Sequence, residues 1–126
     1  MNFTGSILLV DDEAHIRKYV SLILKQLGAT KVVEAANGEE ALVAYQTEKP
    51  DIVLLDISMP LMNGLETLKK LKVVDPESVI IMLTSMVNRQ SIDEALAHGA
   101  SNYIRKDTPK EEIAKAILDT LENRFP

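Results

Sequence analysis

Residues 50–64 are the stretch that most constrains the fold of this chain. Four consecutive apolar residues at positions 52–55 end on a carboxylate, Asp56, and a turn closing on Asn63-Gly64 follows. A short apolar run bounded by turn residues predicts a strand that is buried on both faces, as in parallel sheets. A charge directly after such a strand lies at the carboxyl edge of the sheet, where open α/β sheets bind ligands. The pattern therefore makes Asp56 the first candidate site residue.

The rest of the chain repeats this arrangement of strand, turn and helix. Strands are predicted at residues 7–10, 31–35, 52–55, 79–83 and 102–104. Apolar residues at helical spacing follow each strand, with cap or stop residues at Gly28, Asn37, Asn63, Gly99 and Thr108. Such alternation predicts an α/β fold with a parallel sheet, right-handed crossovers and helices on both faces. The length predicts one domain, residues 1–126.

Composition excludes several classes of function. The net charge is −5 and no stripe of Lys and Arg is present, which argues against a nucleic-acid binder. The absence of cysteine excludes disulfides and thiolate metal sites. We find no signal-peptide pattern and no apolar stretch near the roughly 18 residues of a membrane span. A cytoplasmic protein is expected.

Polar side chains collect where the predicted strands end. Four strands are followed by Asp11-Asp12, Asp56, Thr84-Ser85 and Lys106. Three carboxylates at one sheet edge repel each other unless their pKa values rise or a cation lies among them, and oxygen ligands suit Mg²⁺. A lysine and a hydroxyl beside such a site can donate to the oxygens of a phosphoryl group. An aspartate can act as the nucleophile and form an aspartyl-phosphate.

Each of these residues also has a simpler interpretation. Asp11 or Asp12 can cap the first helix, and Asp56 can be a solvated turn residue. Thr84 can equally belong to a turn, and an isolated lysine such as Lys106 is usually only solvated. The coincidence of all four positions at strand ends favours a functional site.

This combination of motifs resembles the CheY-like response-regulator receiver domains of two-component signalling, over essentially the whole chain. The motifs are Asp11-Asp12, the segment from Asp56 through Gly64, Thr84-Ser85 and Lys106. The resemblance implies a flavodoxin-like, doubly wound sheet of five parallel strands in the order 2-1-3-4-5. It further implies transfer of a phosphoryl group from a histidine kinase or phosphotransfer protein to Asp56 with Mg²⁺, and a signalling switch rather than an enzyme.

The resemblance also implies the ligands of the cation. Asp12 and Asp56 would bind Mg²⁺ directly, together with the backbone carbonyl of Ser58. Asp11 would contribute through a water molecule.

Further roles at the phosphoryl group follow from the same resemblance. Lys106 would pair with the phosphoryl oxygens, and Thr84 would move to donate a hydrogen bond to them. Tyr103 matches the aromatic switch residue that turns inward when the threonine moves. The surface of the fourth helix, fifth strand and fifth helix would then bind a downstream protein.

Two departures from the family pattern are visible. Many receivers have proline directly after the lysine, whereas Asp107 follows Lys106 here; a cis bond without proline costs ~2.5–4 kcal/mol, so a trans bond is expected. Ser58 and Met86 occupy the positions that, in the family that this chain resembles, flank the path of the hydrolytic water. Because Met86 offers that water no hydrogen bond, we expect slow loss of the phosphoryl group.

Two other functions compete with the receiver interpretation. A Mg²⁺-dependent phosphohydrolase with an aspartyl-phosphate intermediate would have a second acid at position 58, where this chain has Ser58. A flavodoxin-type binding module needs a phosphate-binding loop after the first strand, but the acids of Asp11-Asp12-Glu13 would repel a phosphate. The output also stays open between a single-domain chemotaxis-type regulator, a phosphorelay shuttle and a receiver cut from a longer protein.

Overall fold

The computed structural model describes residues 5–57, 59, 62–85 and 88–124. The strands are β1 (Ser6–Val10), β2 (Lys31–Ala35), β3 (Ile52–Leu55), β4 (Ile80–Thr84) and β5 (Asn102–Arg105). The helices are α1 (Ala14–Leu27), α2 (Gly38–Glu48), α3 (Gly64–Val74), α4 (Arg89–Ala97) and α5 (Lys110–Arg124). Strands and helices therefore alternate in the order that the sequence predicts.

All five strands form one parallel sheet in the order β2-β1-β3-β4-β5. The predicted fold class is thus confirmed. Val10 lies opposite Leu55, so β1 and β3 end at the same level of the sheet. The residues that follow these two strands are consequently brought side by side.

Two apolar layers cover the two faces of the sheet. Alternate residues of the central strands point to opposite sides, as Ile7 and Leu8 do, and the strands are accordingly apolar without interruption. One layer joins the sheet to α1 and α5 through residues such as Leu24 and Ile117. The other joins it to α2, α3 and α4 through residues such as Leu68. Each fully buried leucine or isoleucine contributes about 1.5–3 kcal/mol, so the layers hold the strand ends in place.

Side-chain caps fix where three helices begin. The side chains of Asn37, Asn63 and Asn88 accept hydrogen bonds from the first turns of α2, α3 and α4. Gly28 ends α1 with a φ of 107°, a left-handed conformation that favours glycine. Several boundaries differ by one residue from the expectation: β1 begins at Ser6, β4 runs from Ile80 to Thr84, β5 ends at Arg105 and α5 begins at Lys110. Helix and strand ends routinely shift by one residue in this way.

The peptide bond between Lys106 and Asp107 is trans, as are the other bonds of the described residues. The expectation for this position is therefore confirmed. Within the same residues, no helix combines the length and apolar character that crossing a membrane requires.

Candidate functional site

Three aspartates meet at the carboxyl edge of the sheet. One carboxylate oxygen from each of Asp11, Asp12 and Asp56 lies within 4.8 Å of the others. Asp11 and Asp56 are buried, each with 2% of its surface exposed, whereas Asp12 is exposed. The Asp56 N–H donates to the carbonyl of Val10 at 3.0 Å, which ties the end of β3 to that of β1. The register of the two central strands therefore creates the acidic cluster.

Lys106 lies among these acids with only 12% of its side chain exposed. Its Nζ is 2.6 Å from Asp11 Oδ2, 3.0 Å from Asp56 Oδ2 and 3.7 Å from Glu13 Oε1. Burial by itself lowers the pKa of Lys106, but hydrogen bonds to Asp11 and Asp56 and their negative charges outweigh it and raise the pKa. The lysine is consequently an ammonium ion that offsets part of the charge of the acids.

On the side of β3 away from β1, the strands β4 and β5 carry Thr84 and Tyr103. Thr84 is completely buried at the end of β4, and its carbonyl accepts the backbone N–H of Lys106 at 3.0 Å. Tyr103 is half-buried on β5, where it packs against the apolar layer that contains α4. Burial raises the pKa of Tyr103, and the charge of Asp56 raises it further. The phenol therefore lies within electrostatic reach of Asp56.

Asp11 does not cap the first helix. Its Oδ1 accepts the backbone N–H of Glu13 at 2.9 Å, and Glu13 occupies the N-cap position of α1 without a side-chain cap bond. The carboxylate of Asp11 is instead shared between the backbone of its own loop and Lys106. This arrangement removes the simple helix-cap interpretation for Asp11.

Comparison with known proteins identifies the family. The sequence matches the family model of the response regulator receiver domain over residues 7–118. The chain belongs to this family. It is a phosphorylatable receiver of two-component signal transduction, and neither the phosphohydrolase nor the flavodoxin-type alternative is favoured.

Relatives of this receiver include proteins of bacterial chemotaxis. The chemotaxis protein CheY of Bacillus subtilis is 37% identical over 115 residues, which cover 91% of this chain and 96% of CheY. A solved CheY-like receiver domain protein from Methanospirillum hungatei has a TM-score of 0.90 and 30% identity, with 97% of each chain covered. A crystal structure of a CheX–CheY complex with BeF₃ and Mg²⁺ from Borrelia burgdorferi has a TM-score of 0.89 at 29% identity, covering 92% of this chain and 88% of that one.

Membership in the family brings general properties with it. Receiver domains bind Mg²⁺ at a cluster of aspartates, and the acidic cluster of this receiver provides such a group. They interact with histidine kinases and with downstream targets. The donor chemistry fits the cation, because carboxylate oxygens are the ligands that Mg²⁺ prefers and a single ammonium ion leaves the three acids with excess negative charge.

Gly64 is a structural requirement of the site that its place in a turn motif does not reveal. A Cβ atom on Gly64 would lie 2.0 Å from the backbone oxygen of Asp56 and 2.6 Å from Cα of Ile57. The Gly64 N–H donates to the carbonyl of Ile57 at 2.8 Å. Only a glycine allows α3 to begin this close to Asp56. The Asn-Gly pair in the sequence indicates a turn, but the close approach is visible only in the structure.

Asp11 has two further charged neighbours in the structure. Glu13 reaches Lys106, and Arg17 Nη1 donates to the carbonyl of Asp11 at 2.7 Å. The sequence places Glu13 among the acids after β1 but does not indicate its contact with Lys106, and no motif points to Arg17. Ser58 and Met86, which the sequence associates with the cation and with the phosphoryl lifetime, lie outside the described residues.

Proposed function

We propose that residues 1–126 act as a single receiver domain in which Asp56 accepts the phosphoryl group. The donor is the phosphohistidine of a histidine kinase or of a phosphotransfer protein. The observation that supports this most directly is the buried carboxylate of Asp56, which shares the ammonium ion of Lys106 with Asp11. A buried carboxylate within hydrogen-bond distance of a lysine and beside two further acids suits an aspartyl nucleophile.

The acidic cluster is the proposed site of Mg²⁺. Asp12 and Asp56 would hold it directly together with the Ser58 carbonyl, and Asp11 would contribute through water. When bound, the cation neutralises charge on the oxygens of the transferring phosphoryl group. The exposure of Asp12 is consistent with this role, since Mg²⁺ retains several water molecules in protein sites.

In the transfer step, an oxygen of the Asp56 carboxylate attacks the phosphorus in line with the bond to the imidazole of the donor. A phosphorus–oxygen bond forms and the phosphorus–nitrogen bond breaks, with its electron pair left on the imidazole nitrogen. Lys106 then exchanges a carboxylate partner for the phosphoryl oxygens. Its raised pKa keeps the ammonium proton available for that hydrogen bond.

The added charge operates the proposed switch. Phosphorylation of a hydroxyl side chain adds roughly −1.5 to −2 charge units, and a similar increment is expected at Asp56. Hydrogen bonds from Thr84 and Lys106 to the charged group contribute about 1.5–3 kcal/mol each. Shifting the ratio of the active to the inactive conformation from 1:99 to 99:1 requires about 5.5 kcal/mol of differential stabilisation. The two hydrogen bonds nearly supply this free energy, and binding of a partner completes the change.

The proposed output surface consists of α4, β5 and α5. Tyr103 lies on β5, which is part of this surface, and the charge of Asp56 adds to the rise that burial causes in the pKa of its phenol. An inward turn of Tyr103 would change the shape of the surface that a downstream protein contacts. The receiver acts in the cytoplasm, as a switch whose only chemistry is its own phosphorylation and dephosphorylation.

Acetyl phosphate with Mg²⁺ tests the proposal, with intact mass as the readout. The wild-type chain gains one phosphoryl group and Asp56→Asn gains none. Asp51→Asn is the matched control, because Asp51 is an exposed acid at the opposite end of β3. A phosphoryl adduct that persists in Asp56→Asn would overturn the assignment of the acceptor.

The lifetime of the adduct tests the proposed roles of Ser58 and Met86. With an apolar side chain at position 86 we expect the phosphoryl group to outlast many minutes, and Met86→Asn to shorten that lifetime. A half-life of only seconds in the wild-type chain would contradict the proposal. The same mass measurement, repeated over time after removal of acetyl phosphate, provides the decay rate.

A further inference from the structure

Arg17 connects three parts of the molecule near the acidic cluster. It lies in the first turns of α1 with 18% of its side chain exposed. Its Nη1 donates to the Asp11 carbonyl at 2.7 Å, and its Nε donates to Glu34 Oε1 on β2 at 3.0 Å. The rigid, planar guanidinium group thus joins the loop after β1 to the edge strand.

With Arg17 included, every polar group of Asp11 has a partner. The Asp11 N–H donates to the carbonyl of Ala35 at 3.1 Å. Oδ1 accepts from the Glu13 N–H at 2.9 Å, and Oδ2 lies 2.6 Å from Lys106 Nζ. The carbonyl is held by Arg17 alone among the contacts of the described residues. Arg17 therefore fixes the carbonyl of Asp11, which the other partners do not contact.

The orientation of the Asp11 carbonyl determines where Asp12 points. The carbonyl of Asp11 and the nitrogen and Cα of Asp12 belong to one planar peptide unit. A rotation of this unit would swing Asp12 away from Asp11 and Asp56. Such a rotation is favoured electrostatically, because three carboxylates with oxygens within 4.8 Å repel one another. A restraint on the carbonyl is needed to keep the exposed Asp12 in the cluster.

We infer that Arg17 is a positioning residue of the cation site, which orients Asp12 by holding the Asp11 carbonyl. This inference rests on the proposed function, since it concerns the Mg²⁺ site of the receiver. Arg17 acts through Asp11 and Asp12 and is not itself a ligand. Glu34 supports it from β2 by accepting its second hydrogen bond.

Electrostatics distinguishes a positioning role from a merely structural one. Arg17 carries a positive charge near the proposed cation site, and like charges repel. If charge alone mattered, its removal would strengthen Mg²⁺ binding. A positioning role predicts the opposite sign, because Asp12 would lose its orientation.

Mg²⁺ titrations of the full chain, followed by calorimetry, test this prediction. Arg17→Met keeps the apolar stem but removes both hydrogen bonds, and we expect its Kd for Mg²⁺ to rise about 10-fold or more, as for other partners that orient metal ligands. Arg17→Lys keeps the positive charge but cannot make both hydrogen bonds of the planar guanidinium group, so it should also bind Mg²⁺ weakly. Arg89→Met is the matched control, because Arg89 pairs with Asp93 on the exposed surface of α4 and should leave the Kd unchanged.

A second readout separates positioning from loss of folding. At saturating Mg²⁺, the variants should reach nearly the wild-type rate of phosphorylation by acetyl phosphate, because Asp56 and Lys106 are untouched. If Arg17→Met does not fold, Glu34→Gln is the milder variant, and we expect its Kd to rise by a smaller factor. An unchanged or lower Kd in the folded Arg17 variants overturns the inference and leaves the proposed function intact. Absence of Mg²⁺ binding to the wild-type chain instead overturns the proposed cation site itself.

Discussion

Polar networks at the two ends of the sheet are built on opposite principles. At the carboxyl end, Lys106 faces Asp11 and Asp56, and Asp12 adds a further negative charge. At the amino end, before β4, the hydroxyl of Tyr45 donates to Asp75 Oδ2 at 2.7 Å. One end gathers three acids around a single ammonium ion, whereas the other pairs a neutral donor with one acid.

The pKa values at the amino end show what the second arrangement achieves. The hydrogen bond from Tyr45 lowers the pKa of Asp75, and the N–H of Glu77 lowers it further. Burial raises the pKa of Tyr45, and the hydrogen bond to Asp75 adds to that rise. The amino end therefore contributes stability, while the carboxyl end keeps an excess of negative charge that a cation can relieve. Four predictions test this comparison, from the largest expected effect to the smallest.

Lys106→Met should cost most, about 3–5 kcal/mol of unfolding free energy without Mg²⁺, because it leaves two buried carboxylates without their shared cation. Saturating Mg²⁺ should restore more stability to this variant than to the wild-type chain. Urea denaturation in EDTA and in Mg²⁺ measures both effects. Lys115→Met, at an exposed position of α5, is the control. A loss below about 1 kcal/mol would show that the carboxyl end is not held by Lys106.

Gly64→Ala should lower the free energy of unfolding by about 3 kcal/mol, because the added Cβ would clash with the backbone of Asp56 and Ile57. That backbone cannot shift without moving the site. The phosphorylation rate should fall together with the stability. Gly99→Ala is the comparison at the other end: Gly99 has a φ of 98°, but its Cβ would meet the flexible side chain of Lys72 at 3.0 Å. The free energy of unfolding of Gly99→Ala should fall by about 1 kcal/mol, and its phosphorylation rate should stay unchanged. Equal phosphorylation rates in the two variants would contradict the prediction.

Tyr45→Phe should lower the free energy of unfolding by about 1 kcal/mol at neutral pH, since it removes the hydrogen bond to Asp75. A lowered pKa in the folded state contributes stability above the ordinary pKa of an aspartate, and this contribution disappears as the pH falls through the lowered value. The difference between the wild type and Tyr45→Phe should therefore shrink below about pH 4. Thermal melts across the acid range measure it. A difference that grows with acidity would refute the assignment.

Asp56→Asn should change stability least, by less than about 1 kcal/mol in EDTA. Asparagine keeps an oxygen that can accept from Lys106, and the repulsion among the acids falls when one charge is removed. The same substitution abolishes phosphorylation under the proposed function. Denaturant midpoints in EDTA provide the measurement, and a loss as large as that of Lys106→Met would show that the acids do not oppose one another.

Most of the fold could be predicted from the sequence, because its signals are local. The apolar run at residues 52–55 and the caps at Asn37 and Asn63 specify their elements through periodicity and turn chemistry alone. The register that brings Asp11 beside Asp56 also follows from strands that end in the same way.

What the sequence could not provide depends on contacts between distant residues. The bond from Arg17 to Glu34 joins α1 to β2, and the bond from Tyr45 to Asp75 spans 30 positions. The close approach that leaves no room for a Cβ at Gly64 results from the packing of α3 against the end of β3. Each of these involves residue types that are common on surfaces, and their partners are fixed only by the tertiary structure.

The backbone around Asp56 leaves this residue almost no freedom to move. Its N–H is bonded to β1, its carbonyl abuts Gly64, and the next carbonyl, that of Ile57, accepts from both Met59 and Gly64. We therefore expect Asp56 to behave as a stationary source of electric field, whose strength changes when a phosphoryl group arrives. Under the proposed function, the signal would then leave the site as a change of electrostatic potential, and residues would move only on β4 and β5.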